Sequence, residues 1–585
     1  MADNGFVPWP EGFQQQYRQK QFWRGELLPC ILEDRARENP DAPALVAGDS
    51  QLSYAEMLAA VNGLCHQLLG AGVAPGQNVV LHTPSGVEFY LLFFALLKLG
   101  VKPVLALESH RLTEIRYFCQ HAEANFYLSS FSGNDCVYRD IAVQLQKENV
   151  IVKALDIAWS DERGGTRCKD IRGESLVRDA NAGGVEINEA GIGKNHTDCV
   201  RMEKTLDARI KVKSDAVAFY LLSGGTTGTP KLIARTHDDY FYSVRVSAEV
   251  CELSSSSVYL LVMPASHNFT LSSPGALGVM FVGGLVVVAK APDPASAFQL
   301  IEQHRVSMVA LVPPLAATWV NALEQLRARG GDVLLDSLKL IQVGGAKLSL
   351  SLAEKIQPLF DCRLQQVFGM AEGLVNYTRV DDSDDIVLET QGSPMSPADE
   401  IRVLDDNDQP VAPGVPGHLL TRGPYTIRGY YRAPEHNARA FTADGFYRTG
   451  DIVALTENGY LIVTGRSKDQ INRGGEKISA EEVENCVLAH NAVIDCSVVA
   501  MPDVFLGERV CAFVVPTSAA ENQSTPIALK REILAYLRTL GIAAFKIPDR
   551  IELVSALPIT QFGKVDKNRL RKIVAEINKP AMASA

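Results

Sequence analysis

The chain has 585 residues, 46% apolar and 21% charged, a length for about two to four packed domains and a composition that excludes intrinsic disorder. Its formal net charge of −11 excludes a nonspecific nucleic-acid binder, which needs a basic face against phosphates. A local basic pocket stays compatible with that balance.

The first ten residues are polar, without a basic segment leading into an apolar one, so no secretory signal is expected. A strand is predicted at 79–81. The apolar run 89–97 is far short of the ~20 residues that span a bilayer. It follows Ser85-Gly86-Val87-Glu88, spaced like a capping box, and reads as a buried helix. Residues 156–212, rich in Gly, Asp, Glu, Arg and Lys, read as a surface insertion without chemistry. Residues 217–222 form an apolar run. Further buried strands are expected at 284–289, 306–312 and 338–343, the last ending on Gly344-Gly345. Strands alternating with helical patterns imply α/β layers.

Near residue 468 the texture changes. Residues 465–477 are polar and glycine-bearing. Ser479-Ala480-Glu481-Glu482 then opens a helix with Val483, Cys486, Val487 and His490 at i, i+3, i+4, i+7. Strands at 493–500 and 510–515 follow, then a helix over 527–540 that stops before Gly541. The expected organisation is a large N-terminal α/β region, 1–467, and a small α+β domain, 468–585. Eleven cysteines, an odd number with no C-x-x-C pair, argue against a disulfide framework or zinc knuckle and for a reducing compartment, the cytoplasm.

Chemistry is suggested first by Ser223-Gly224-Gly225-Thr226-Thr227-Gly228-Thr229-Pro230-Lys231. Glycines let backbone N–H groups converge on an anion, and the hydroxyls and ammonium add donors. This suits a polyphosphate, yet the Gly-Lys-Ser/Thr ending of a Walker A loop is absent. Taken alone, the stretch fits a polar turn equally well. Phe368-Gly369-Met370-Ala371-Glu372, Thr449-Gly450-Asp451, Gly465-Arg466 and Gly563-Lys564 are each unspecific.

Together and in this order, these motifs resemble the adenylate-forming superfamily of acyl-CoA synthetases, luciferases and peptide-synthetase adenylation domains. Within it the chain is most similar to stand-alone 2,3-dihydroxybenzoate–AMP ligases of siderophore biosynthesis. The likeness runs from Trp9-Pro10-Glu11-Gly12-Phe13 to Lys564-Val565-Asp566-Lys567. It is carried by Ser266-His267-Asn268-Phe269, by residues 366–379, and by Asp469-Gln470-Ile471-Asn472-Arg473-Gly474-Gly475-Glu476-Lys477-Ile478. Only residues 156–212 fall outside it.

The resemblance implies the adenylating-enzyme fold with a mobile C-terminal domain, and it implies roles. Ser223, Gly224, Gly225, Thr226, Thr227, Gly228, Thr229 and Lys231 would hold the β- and γ-phosphates of ATP. Gly344, Gly345 and Ala346, with Val367, Phe368, Gly369, Met370 and Ala371, would line the nucleotide and acyl site. Asp451 would accept from the ribose hydroxyls, with Arg466 nearby. Glu372 would hold Mg²⁺. Lys564 would bridge the substrate carboxylate and the α-phosphate, and His267 would join it in catalysis. His267, Asn268, Phe269, Ser273, Gly345, Val367 and Val375 would surround the acid. Lys468 would be the hinge, and Gly474-Gly475 the thiolation loop. Two departures stand out: Ala371 replaces a common Thr, and Phe269 a Tyr.

Amino-acid adenylation domains place an Asp against the substrate ammonium where this chain has Asn268. An amide cannot neutralise an ammonium but can bond a carboxylate or an ortho-hydroxyl. The resemblance therefore implies 2,3-dihydroxybenzoate as the acid, with ATP and Mg²⁺, and then transfer to the phosphopantetheine thiol of an aryl carrier protein. The rival readings are an aryl-CoA ligase using free coenzyme A, a salicylate–AMP ligase, and a catalytically silent binding protein. Retention of Lys231, Glu372, Asp451, Arg466 and Lys564 argues against the last.

Overall fold

Continuous apolar runs need a sheet covered on both faces, and two such sheets form the bulk of the molecule. The structure is a computed structural model that describes residues 5–130, 137–160, 165–170, 211–223, 230–473, 476–503, 506–540, 544–560 and 564–582. Four sheets occur among them.

The first has nine strands. Pro43–Ala47, Leu285–Val288, Val258–Leu261, Met308–Leu311, Leu340–Gly344 and Arg363–Met370 lie parallel in that order. Antiparallel Ser50–Ser53 closes one edge; Gly373–Tyr377 and Ser393–Pro394 close the other. The second has seven strands, with Lys153–Ser160, Phe126–Ser129, Asn78–Leu81, Lys102–Leu105 and Val217–Leu222 parallel at its centre. The helix Val87–Lys98 is buried almost all round, as its unbroken apolar run requires, and packs into the same core cluster as both sheets.

A four-stranded antiparallel sheet follows, Glu400–Leu404 to Leu461–Arg466. Beyond a short 3₁₀ turn at Ser467–Asp469, a five-stranded sheet is built around the long hairpin Val493–Asp503 and Gly507–Pro516. The Ser479 hydroxyl caps the helix Ala480–Leu488 by accepting from Glu482 N–H, as its spacing predicts. It also donates to the Thr464 carbonyl of the preceding sheet. Lys347 Nζ joins the two parts further, reaching the Val463 carbonyl (2.6 Å) and Glu481 (3.4 Å).

Three expectations need correction. Ser85 and Glu88 do not form a capping box: Gly86 is the N-cap, and no side chain caps the helix. Ser85 N–H and hydroxyl donate to Glu108 instead, and Glu88 accepts from Trp159 N–H. Long-range partners outcompete the local cap. Residues 156–212 are not wholly a surface excursion, because Lys153–Ser160 and Gly165–Asp170 pair as a hairpin at the edge of the seven-stranded sheet; 171–210 lie outside the described residues. His490 lies past the end of its predicted helix, though it is buried. Nine cysteines are free thiols among the described residues. Among those residues no helix is long and apolar enough to cross a membrane.

Candidate active site

In α/β sheets, ligands bind beyond the carboxyl ends of the strands, where the loops diverge. Here a cavity of about 510 Å³ opens there, bordered by segments from three sheets and by one residue from the C-terminal part. Leu105 ends one parallel strand, with Leu107 just beyond it, and Leu222 ends another, with Ser223 just beyond. Ser266 to Phe269 and Ser273 follow Val258–Leu261, Gly345 follows Leu340–Gly344, and Val367 to Glu372 end Arg363–Met370.

Ser223 and Lys231 form the neck of the polyphosphate-type loop. Ser223 N–H donates to the Lys231 carbonyl (3.0 Å), and Lys231 N–H donates to Ser223 Oγ (2.9 Å). Lys231 Nζ sits 5.7 Å from the centre of the Tyr430 ring. Gly224, Gly225, Thr226, Thr227, Gly228 and Thr229 lie outside the described residues, as do Gly474 and Gly475.

The Glu372 turn is held from below. Arg235, buried and paired with Asp239, donates to the Ala371 and Tyr425 carbonyls (2.7 and 3.1 Å). Tyr430 donates to Glu372 Oε1 (2.7 Å) and touches the Tyr447 hydroxyl. Burial pushes the Glu372 carboxyl up and the Tyr430 bond counters it. Asp451 and Arg466 face each other across two antiparallel strands, 2.8 Å apart, and Asp451 above all keeps the guanidinium charged.

His267 is the N-cap of the short helix Asn268–Ser272; its Nδ1 accepts from Phe269 N–H (3.2 Å). That bond assigns the proton of the neutral ring to Nε2. The ring is neutral because burial, aided by nearby Lys564, lowers its pKa to about 4. Asn268 Oδ1 accepts from Tyr240 (3.0 Å), which leaves the Nδ2 hydrogens for a ligand's oxygen. Tyr240 lies under the Arg235 guanidinium, 4.8 Å from its ring centre.

Lys564 arrives from the C-terminal part, paired with Thr560. Its N–H donates to Thr560 Oγ1, and Thr560 N–H donates to its carbonyl (2.6 Å). Burial, then the Arg466 charge, lowers its pKa to about 8.

One cavity thus brings together Lys231, His267, Asn268, Phe269, Ser273, Gly345, Val367, Gly369, Met370, Ala371, Glu372, Val375, Asp451, Arg466 and Lys564, with Ser223. Three predicted contacts do not border it. Phe368 points to the other face of its strand, into the cluster of Leu374 and Val453, as the two-residue alternation dictates. Gly344 is filled against Phe269 and the Val367 carbonyl, 3.0 and 2.7 Å from where a Cβ would stand. Ala346 is exposed. Lys468 lies in the 3₁₀ turn between the last two sheets, where its carbonyl accepts from Arg571 (3.3 Å). The sequence reading misses Tyr240, Tyr430, Tyr447 and Arg235. Only the Thr236-x-x-Asp239 capping pattern hinted at that region, since tyrosines have no spacing rule.

Residues 32–431 match the family model described as AMP-binding enzyme, and 482–564 match the AMP-binding enzyme C-terminal domain. The chain is 48% identical over 575 residues to the 2,3-dihydroxybenzoate-AMP ligase of Bacillus subtilis, covering 98% of each. It is 47% identical to the vibriobactin-specific 2,3-dihydroxybenzoate-AMP ligase of Vibrio cholerae, covering 97% of each. The apo structure of Mycobacterium smegmatis MbtA superposes with a TM-score of 0.69 at 38% identity, covering 97% of this chain and 99% of that one.

Proposed function

The chain belongs to the AMP-binding enzyme family, and from that premise we propose that it is an ATP-dependent ligase that joins 2,3-dihydroxybenzoate to AMP. The observation that carries this reading is the convergence of Lys564, His267 and Asn268, one cation and two hydrogen-bond donors, on the cavity that also holds Glu372 and Asp451. The names of the two bacterial relatives point to the same acid.

The carboxylate must attack an anionic α-phosphate as pyrophosphate leaves. Two anions repel, so positioning and charge neutralisation carry the catalysis. Lys564 is the group placed to touch both oxygens, a compact cation on a flexible stem. Asn268 Nδ2 and His267 Nε2–H orient the carboxylate and its ortho-hydroxyl. Lys231 and the loop after Ser223 hold the outer phosphates, and Asp451 the ribose. One buried carboxylate beside a phosphate site fits Mg²⁺, which typically takes one or two carboxylates plus substrate oxygens. Glu372 would hold it, and the ion would neutralise phosphate charge. Ser273 and Val375 take the far side of the ring.

In the second half-reaction the phosphopantetheine thiol of an aryl carrier protein attacks the acyl-adenylate carbonyl, forming the thioester and releasing AMP, in siderophore biosynthesis in the cytoplasm. The hinge at Lys468 withdraws Lys564 and brings Gly474-Gly475 forward. The test is ATP–pyrophosphate exchange with a panel of benzoates. Exchange is expected with 2,3-dihydroxybenzoate, more weakly with salicylate, and not with benzoate or amino acids. Exchange driven by amino acids or fatty acids alone would overturn the reading.

A further inference from the structure

The short helix Pro434–Ala440 borders the cavity, and its register is locked by one residue. Asn437 Oδ1 accepts from Tyr430 N–H (2.8 Å), and Asn437 Nδ2 donates to the Tyr430 carbonyl (2.9 Å). With Asn437 clamped there, His436, Arg439 and Ala440 stand at i, i+3 and i+4 on one helical face, and all three line the cavity. His436 packs edge-on against the Tyr430 ring, 5.1 Å between ring centres. Lys231 Nζ stands over the same ring, and the hydroxyl at its tip holds Glu372. One tyrosine therefore sets a lysine, a histidine and a carboxylate around itself.

The cations lining the cavity divide by partner. Arg448 pairs with Asp408, and Arg466 with Asp451. Lys231 and Arg439 have no acidic partner among the described residues. Burial first, then the Lys231 and Arg439 charges, hold the His436 pKa below its ordinary value. His436 is thus a neutral N–H donor beside two unneutralised cations. Like charges facing one space repel, and an anion placed in that space relieves them. Lys564 belongs to a different pole, beside His267 and Arg466.

We infer that Arg439 and His436 join Lys231 in a second pole that receives the outer two phosphates of ATP and holds them as they leave as pyrophosphate. The inference rests on the reading of this cavity as an adenylating site and deepens it. In adenylation a carboxylate oxygen bonds to the α-phosphorus, the bond from that phosphorus to the bridging oxygen breaks, and its electron pair goes to pyrophosphate. Charge therefore builds on the leaving side, in line with and opposite to the attack that Lys564 attends. A guanidinium suits that place, because its fork matches two phosphate oxygens at once.

The experiment measures Kd for AMP, ATP and pyrophosphate, each with Mg²⁺, by calorimetry on the full chain. Arg439 is exposed and alanine favours helix, so Arg439→Ala keeps its fold, which a melting curve checks. It should weaken ATP and pyrophosphate about fivefold to tenfold, the scale of a charge-assisted contact at a partly open site. AMP, which lacks the outer phosphates, should change by less than about twofold. Arg439→Lys, which keeps the charge and loses the fork, should recover part of the loss. His436→Phe keeps a ring against Tyr430 and removes the N–H; it should weaken pyrophosphate by about threefold. The KM for the aryl acid should stay the same in all three variants. Unchanged pyrophosphate affinity in Arg439→Ala overturns the inference alone, and so does an equal loss for AMP, which a general field or a structural defect would give. A wild type that binds neither AMP nor ATP overturns the reading it rests on, and the inference with it.

Discussion

Lys564 shows how much one residue's surroundings decide. Its ammonium is drawn from solvent toward Arg466, and its pKa falls to about 8. Free-enzyme pKa values govern kcat/KM, and the lysine works only when charged. The kcat/KM for adenylation is expected to fall as pH rises through about 8, and Lys564→Arg should remove that alkaline limb, because a guanidinium stays charged. Lys564→Ala should lower acyl-AMP formation by on the order of a thousandfold, with little change in ATP affinity. Thioester formation from preformed acyl-AMP should fall far less, and equal losses would count against the assignment. Ser273→Cys replaces a hydroxyl with a weak thiol. It should shift the kcat/KM ratio toward salicylate by up to about tenfold in pyrophosphate exchange.

Among the elements, the turn at Ser467–Asp469 separates the sheet that supplies Asp451 and Arg466 from the part that supplies Lys564. Arg571 grips its far side, bonding Asp469 (2.5 Å) and the Lys468 carbonyl. Proline restricts φ, so Lys468→Pro should keep adenylation and slow thioester formation at least tenfold, as two half-reaction assays would show. Lys347→Met cuts the contacts to Val463 and Glu481. It should weaken the arrangement seen here and lower adenylation about fivefold, the scale of a partly buried ion pair, while sparing transfer. Buried strands such as Met308–Leu311, inside the predicted 306–312, were legible because short continuous apolar runs have few alternatives. The cap at Ser85 was misread because its partners, Glu108 and Ala265, come from distant chain. The motif residues were legible as a set, but the tyrosines that orient them were not: Tyr240 and Tyr430 look like ordinary core aromatics until the fold places Asn268 and Glu372 against their hydroxyls.

The whole molecule carries histidines that it keeps uncharged. Burial lowers His82 to about 3, and His110 and His237 to about 4. Their folded values lie below the unfolded one, so the stability they contribute is present above about pH 6.5 and lost as pH falls toward 4. Each should cost about 2 kcal/mol between pH 7 and pH 5. Asp399, pushed up to about 8 by burial, works the other way, because its folded form takes a proton first. With His267, also lowered to about 4, the four histidines offset by Asp399 give an expected net loss on the order of 5 kcal/mol by pH 5 in urea unfolding. His237→Gln should reduce that loss by about 2 kcal/mol if the variant's reference stability at pH 7 is matched.

Ser85 has a larger consequence than its size suggests. Its hydroxyl donates to Glu108, just beyond the strand Lys102–Leu105 of the seven-stranded sheet, and accepts from the Ala265 N–H (2.9 Å), beyond the strand Val258–Leu261 of the nine-stranded sheet and just ahead of His267 and Asn268. Arg235 does the same on the opposite wall by reaching from the seven-stranded sheet to Ala371. The recognition surface is therefore a seam, and neither sheet owns it. An acid that fills the cavity touches segments from both sheets, so its binding free energy adds to the cohesion of the large region. Mutations that loosen the seam far from any ligand contact will read as lost affinity, and a tight inhibitor will rescue them as a folding aid would.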